Sequence, residues 1–275
     1  MMNRLFFLMI LCVLSIAIDA QLKQSWETEA IFEVPESVKF FEEGKCIFVS
    51  NISGKPGDKD GVGFISKLSD SGDVISLKWV EGIDAPKGMA IQNNILYVSN
   101  IDELVLIDIE KAEILKRINQ PQAKFLNDVT ITSNNEVLVS DSRSSCIYVL
   151  NDDRLDIWLE GEALNGVNGL LAENNYVLVG TGSNILKVDI STKAYSVFVE
   201  TTGQVDGLEP DGKGGYYYSY WRGELYHVIP PSKPVKLLDT QTNNVQSADI
   251  GYNINAGEIL VPTFFSNQVV AYKRD

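Results

Sequence analysis

Histidine is almost missing from this chain: His227 is the only one in 275 residues. A multi-histidine metal centre is therefore excluded, and a Ser-His-Asp triad has a single candidate base. Cysteine is nearly as scarce, and three residues, Cys12, Cys46 and Cys146, cannot build a disulfide-rich scaffold. Positive charge is also short, with 23 Lys+Arg against 37 Asp+Glu and a formal net charge of −14. No basic run interrupts that excess, so the chain repels phosphate backbones and nucleic acid is not expected as a partner. Glycine and proline sit at ordinary levels, which removes collagen-like and low-complexity readings.

Long apolar runs are absent except at the N-terminus. There Arg4 precedes an apolar stretch from Leu5 to Ile18, broken by Ser15 and followed by Asp19-Ala20-Gln21. A charged start, an apolar centre and a small-residue cleavage site read as a secretory signal over residues 1–20. Fourteen helical residues rise about 21 Å, short of a hydrocarbon core of about 30 Å, so a signal fits better than an anchor. Cys12 leaves with it. The expected product is a secreted or periplasmic single domain, residues 21–275, monomeric, with no membrane span. Cys46 and Cys146 fall in different repeat units and are expected to be buried free thiols.

What the mature chain has is repetition. Six short apolar runs recur: Cys46–Val49, Ile95–Val98, Val137–Val139, Tyr176–Val179, Tyr216–Tyr218 and Ile259–Val261. Unbroken runs of this length, bounded by turn residues, suit strands buried on both faces. A further strand follows each, such as Phe64–Leu68, Leu104–Asp108, Cys146–Leu150 and Gln268–Tyr272. A fourth closes most copies. Aligned positions in the first strands are Ser37, Gly88, Asp128, Gly169, Gly207 and Asp249, at intervals of 51, 40, 41, 38 and 42. The long first interval is explained by the ten-residue loop Gly54 to Gly63. A period near 40 with four strands per unit predicts an all-β fold, a six-bladed β-propeller. The sixth copy ends without room for a fourth strand, and the segment Trp26 to Val34 reads as a spare one. That N-terminal strand is expected to complete the last blade and close the ring.

In a propeller, the residues just before the first strands ring one mouth of the central channel. Here they are Glu36, Lys87, Asn127, Asn168, Asp206 and Ala248. Glu36 and Asp206 offer negative charge and Asn127 and Asn168 neutral carbonyls, an oxygen set suited to calcium. Zinc and copper would want His or Cys, which the ring lacks. Asp128 and Asp249 sit one step deeper as a further source of charge. Against this stand the ordinary use of Asn and Asp in turns and a metal-free alternative in which Lys87 pairs with Glu36.

The six-copy pattern, with Glu36, Asn127-Asp128, Asn168-Gly169 and Asp206-Gly207 in that order, resembles the gluconolactonase, regucalcin and senescence-marker-protein family. The resemblance spans nearly all of the mature chain. It implies a divalent cation, often calcium, in the channel mouth, with Glu36, Asn168 and Asp206 as metal ligands. It implies that Asn127 contacts metal or substrate and that Asp206 also serves as base or nucleophile. The chain departs from the family where Ser37-Val38 follows Glu36 in place of Gly-Pro. Phe125 also stands where sugar-lactone members carry an Arg. That second departure points to an apolar or neutral lactone or ester in place of a sugar acid.

The expected activity is thus calcium-dependent hydrolysis of a small lactone or ester. The alternatives are a non-catalytic propeller binding a ligand or protein at one face, and a lyase- or synthase-like relative with a metal-free pocket. The 54–63 loop is a candidate lid over the site. Tyr216, Tyr217, Tyr218, Tyr220 and Trp221 form an aromatic cluster expected to pack between blades, with the alternative that Trp221-Arg222 projects beyond the strand and touches a ligand. His227 is expected to be structural. Asp211, in the turn Pro210-Asp211-Gly212, is expected on the opposite face, where replacement should be nearly silent. Asn51-Ile52-Ser53 is a glycosylation sequon.

Overall fold

The computed structural model describes residues 22–274, so the signal assigned to residues 1–20 lies outside the described residues. The described chain forms six antiparallel four-stranded sheets arranged as the blades of a β-propeller. Blades 1 to 5 occupy residues 35–83, 86–119, 126–160, 170–200 and 208–239, each running from the innermost strand outwards. Blade 6 takes three strands from residues 251–274, and its outermost strand comes from the other end of the chain.

That closing strand is Leu22–Glu27, paired with Val269–Arg274. The ring therefore closes as expected, but the strand starts earlier than the Trp26 to Val34 stretch read from sequence. Trp26 and Glu27 pair with Ala271 and Val270, and the chain then leaves the sheet. The boundary was misread because the polar segment Leu22–Ser25 has little apolar character. Its register is set by backbone pairing to an existing strand, which demands no hydrophobic pattern.

The second strands explain the core. Successive residues on a strand face opposite ways, so each apolar run serves two interfaces at once. On Cys46–Asn51, Cys46 and Phe48 pack against blade 2, while Ile47 and Val49 pack against blade 6. On Tyr216–Tyr220, the three rings of Tyr216, Tyr218 and Tyr220 face blade 4 and Tyr217 faces blade 6. The tyrosine cluster is thus inter-blade packing. Phe48 is fully buried and its ring centroid lies 4.8 Å from that of Trp79. Truncating it to Ala should cost about 3–5 kcal/mol. Cys46 and Cys146 are buried free thiols in blades 1 and 3.

Around the axis the innermost strands stand shoulder to shoulder. A Cβ on Gly169 would come within 2.3 Å of the Asp206 carbonyl oxygen, and one on Gly207 within 2.3 Å of the Ile250 nitrogen. Only glycine fits these positions. Where the equivalent residue has a side chain, it bonds the neighbouring blade. Ser37 donates to Asp249 (2.5 Å), and Asp128 accepts from the Leu170 backbone N–H (2.6 Å). Asp128 and Asp249 thus join blade to blade, and no second layer of cation ligands needs to be invoked for them. The sequon is structural too: Asn51 is wholly buried, its amide bonded to Val49 and Ser66 and accepting from Glu33. A glycan cannot sit on it in the folded chain.

Candidate functional site

Each inner strand runs away from one mouth of the channel, and the second strand returns to it. Residues just before the inner strands therefore share that mouth with the turns that follow the second strands. Five of the six expected ring residues, Glu36, Lys87, Asn127, Asn168 and Asp206, line a single cavity of about 1100 Å³. All five side chains are buried. Ala248 does not line it and instead joins Ile52, Ala85, Ile101 and Phe264 in an apolar cluster.

The polar groups of the ring are unevenly satisfied. Asn168 donates its amide N–H to Asp206 Oδ1 (2.5 Å), and Asn127 donates to Ser142 Oγ (3.0 Å). Each bond takes one N–H of its amide and fixes the side chain's orientation, and both carbonyl oxygens stay free to accept a cation. Glu36 Oε2 is buried with no hydrogen-bond partner. Burial, and then the neighbouring Asp206 charge, hold the Glu36 carboxyl well above the usual carboxylate range, although Lys87 opposes them. Burial likewise pushes Asp206 up to about 7, against the hydrogen bond from Asn168. Two buried carboxyls that resist ionisation, one with an orphaned oxygen, form a site that a cation would relieve.

The alternative in which Lys87 pairs with Glu36 is not seen; their charged atoms are not within 4.0 Å. Its ammonium donates to the Ala85 carbonyl (2.7 Å) and lies 4.5 Å from the centre of the Phe125 ring. Burial lowers it to about 8, with the Glu36 charge opposing. The Arg143 guanidinium covers the same ring at 4.2 Å. The wall at Phe125, neutral by sequence, thus carries two cations supplied by neighbouring segments.

Among the described residues, no three carboxylate, imidazole or thiol groups converge as a metal cage. The available donor set is two carboxylates and two amide oxygens, and that set fits a hard cation with waters completing the shell. No helix among the described residues is long and apolar enough to cross a membrane.

The turns after the second strands complete the cavity. Ile52 and Pro56 come from blade 1, Ser142 and Arg143 from blade 3, Trp221 and Arg222 from blade 5, and Phe264 and Phe265 from blade 6. Trp221 and Arg222 line the cavity, so the alternative of projection holds for them and inter-blade packing for the tyrosines. The 54–63 loop reaches the cavity through Pro56 and is tied down by a Lys59–Asp102 ion pair to blade 2 and by a Gly61 N–H bond to Asp84 in the connection between blades 1 and 2. Sequence reasoning missed Ser142, Arg143, Phe264 and Phe265. All four follow a second strand, as Trp221 does in blade 5, and that shared place in the repeat is the signal for them.

The fold has solved counterparts. The WD40 β-propeller domain of Doa1 superposes with a TM-score of 0.65 at 12% identity, covering 87% of this chain and 78% of that one. At that identity the likeness shows the fold alone. No protein-family model matches the chain. No curated protein matches it either.

His227 lies at the far end of the ring, away from the cavity. Its Nε2 is 2.8 Å from Asp211 Oδ2, and its Nδ1 accepts from Arg274. Burial lowers its basicity, and the Asp211 bond only partly restores it. The histidine is structural, as expected. Asp211 is on the opposite face, as expected, but it is not a solvated turn residue. It accepts from the backbone N–H groups of Lys213 (2.7 Å) and Gly215 (2.8 Å) as well as from His227.

Proposed function

We propose that the mouth cavity is a calcium-dependent hydrolase site for a small lactone or ester, in a protein sent out of the cytosol by its apolar leader. The observation that carries the cation is the partnerless Glu36 Oε2, buried beside a second carboxyl in Asp206. Glu36 and Asp206 would hold the cation with the carbonyl oxygens of Asn127 and Asn168. When bound, calcium would supply a Lewis acid for the substrate carbonyl. Asp206 then serves as general base towards water, its orientation fixed by Asn168. Asn127, anchored by Ser142, holds its oxygen towards the cation or substrate. Trp221, Phe264 and Phe265 give one side of the cavity an apolar lining.

The test is calcium titration calorimetry with the wild type and Glu36→Gln, together with melting curves and a lactone and ester panel run with and without chelator. At a calcium concentration 100-fold above Kd, binding stabilises the fold by about 2.7 kcal/mol, and chelation should remove that gain. Melting and turnover that ignore the chelator would rule the reading out. A second reading is supported by Lys87, whose buried ammonium supplies positive charge without a metal. In that case the propeller binds a ligand without turning it over, and calcium has no effect on it.

A further inference from the structure

The cavity has two unlike walls, and ring order sets them opposite each other. Lys87 belongs to blade 2, Phe125 precedes the inner strand of blade 3, and Arg143 follows that blade's second strand. Trp221 belongs to blade 5, and Phe264 and Phe265 to blade 6. In a ring of six, blades 2 and 3 face blades 5 and 6 across the channel. Lys87 is only 1% exposed, and its one hydrogen bond goes to Ala85, so two of its three ammonium donors have no protein partner. Among the described residues, neither Lys87 nor Arg143 has a carboxylate within 4.0 Å. Phe125 holds the two cations over its faces instead.

Across the channel, Trp221 is 40% exposed and Phe265 59%, large apolar surfaces turned into a cavity in an otherwise acidic protein. Edge-to-face contacts at 5.4, 6.1 and 4.8 Å lock Trp221, Phe264 and Phe265 together. Phe264 keeps its place with φ of 50°, a left-handed conformation unfavourable for a bulky residue. Arg222 also lines the cavity, as an exposed side chain beside Trp221.

We infer that the cavity selects an amphipathic carboxylate, its anionic end on Arg143 and Lys87 and its aryl or alkyl end on Trp221 and Phe265. As a statement of substrate class this rests on the hydrolytic reading: the substrate is then an ester or lactone carrying a free carboxylate and an apolar group. Its carbonyl lies between the walls, at Glu36 and Asp206. As a statement of binding it stands without turnover.

The experiment compares 4-phenylbutyrate with the neutral 4-phenylbutanol, read by tryptophan fluorescence and calorimetry, in chelator and in calcium. Trp221→Phe assigns the optical signal. The acid should bind at least about tenfold more tightly than the alcohol, as expected for a charge-assisted contact. Arg143→Gln should bring the two within about threefold, and Phe265→Ala should weaken both together. Lys213→Gln, on the far face, should change neither.

Equal affinity for acid and alcohol overturns the inference, as does a preference that survives Arg143→Gln. An equal loss in Lys213→Gln also overturns it, since the effect would then be one of net charge. A preserved preference with no hydrolysis of any lactone or ester removes the hydrolytic reading and leaves this one standing. Hydrolysis without anion preference does the reverse.

Discussion

Asp206 and Asp211 flank the same short inner strand, Leu208–Pro210, and are buried to nearly the same degree, at 5% and 7% exposure. Their chemistry is opposite. Burial pushes Asp206 up to about 7, because one amide N–H from Asn168 is too little to offset it. Burial acts on Asp211 as well, but the His227 bond and two backbone N–H groups hold it below the usual carboxylate value. Similar side-chain exposure therefore does not make two carboxylates equivalent: Asp206 lies deep in the ring with a single donor, whereas Asp211 lies nearer the far surface with three. Asp211 has spent its acceptor capacity on the fold. Asp206 retains it, and that spare capacity is what a cation or a reacting water would use.

The largest effects should come from neutralising each aspartate. Asp206→Asn should reduce hydrolysis by about 10²–10⁴-fold, the range for a lost general base. Calcium affinity should fall by more than about tenfold, since a direct ligand matters at least as much as an outer-shell one. Melting in chelator should stay the same or rise, because a buried charge is gone. If activity survives, Asp206 is a turn residue and the site is elsewhere.

Asp211→Ala should leave calcium affinity within about threefold of wild type but lower stability by about 2–4 kcal/mol, read by urea unfolding. It strands two backbone N–H groups and the His227 N–H, and each orphan costs about 1–3 kcal/mol before relaxation. A silent Asp211→Ala would remove the structural role assigned to the far face.

A smaller effect is expected from Glu36→Gln in chelator. The amide avoids the desolvation that burdens the carboxylate, so the apo protein should gain up to about 1 kcal/mol while calcium binding weakens. A loss of apo stability would mean that Glu36 has a structural partner.

The finest test is pH. For Asp206 the folded value lies above the unfolded one, so the folded state holds the extra proton. Its contribution to apo stability is full below about pH 4 and is lost as pH rises towards about 7. For Asp211 the folded value is depressed. Its contribution is present above about pH 4 and is lost as pH falls through the lower folded value. In chelator, Asp206→Asn should therefore flatten the decline of stability between pH 4 and 7. Asp211→Asn should flatten the loss below pH 4. Identical pH profiles for the two variants would contradict the contrast.

The blades were legible in the sequence because each second strand is buried on both sides, so its apolar run repeats wherever a blade repeats. Cys46–Asn51 and Tyr216–Tyr220 look unlike in composition, yet both declare themselves by that run. The ring Glu36, Lys87, Asn127, Asn168 and Asp206 was legible for the same reason, since position in the repeat fixes position at the mouth. Leu22–Glu27 was placed late because its pairing uses backbone groups, which no side-chain pattern records. Asp211 looked like any turn aspartate because its acceptors are filled by a histidine sixteen residues away and by the folded turn itself.

By itself, then, the sequence determined the number of blades, the closure of the ring and five of the residues that face its mouth. These follow from local period and from burial on two faces. Only the tertiary structure decided which carboxylates are free. It also revealed that Lys87 rests on Phe125 and not on Glu36, and that Arg143 brings charge to a wall the sequence left neutral. Those outcomes depend on donors and rings carried by other strands and other blades, and the distances between them are set only when the ring closes.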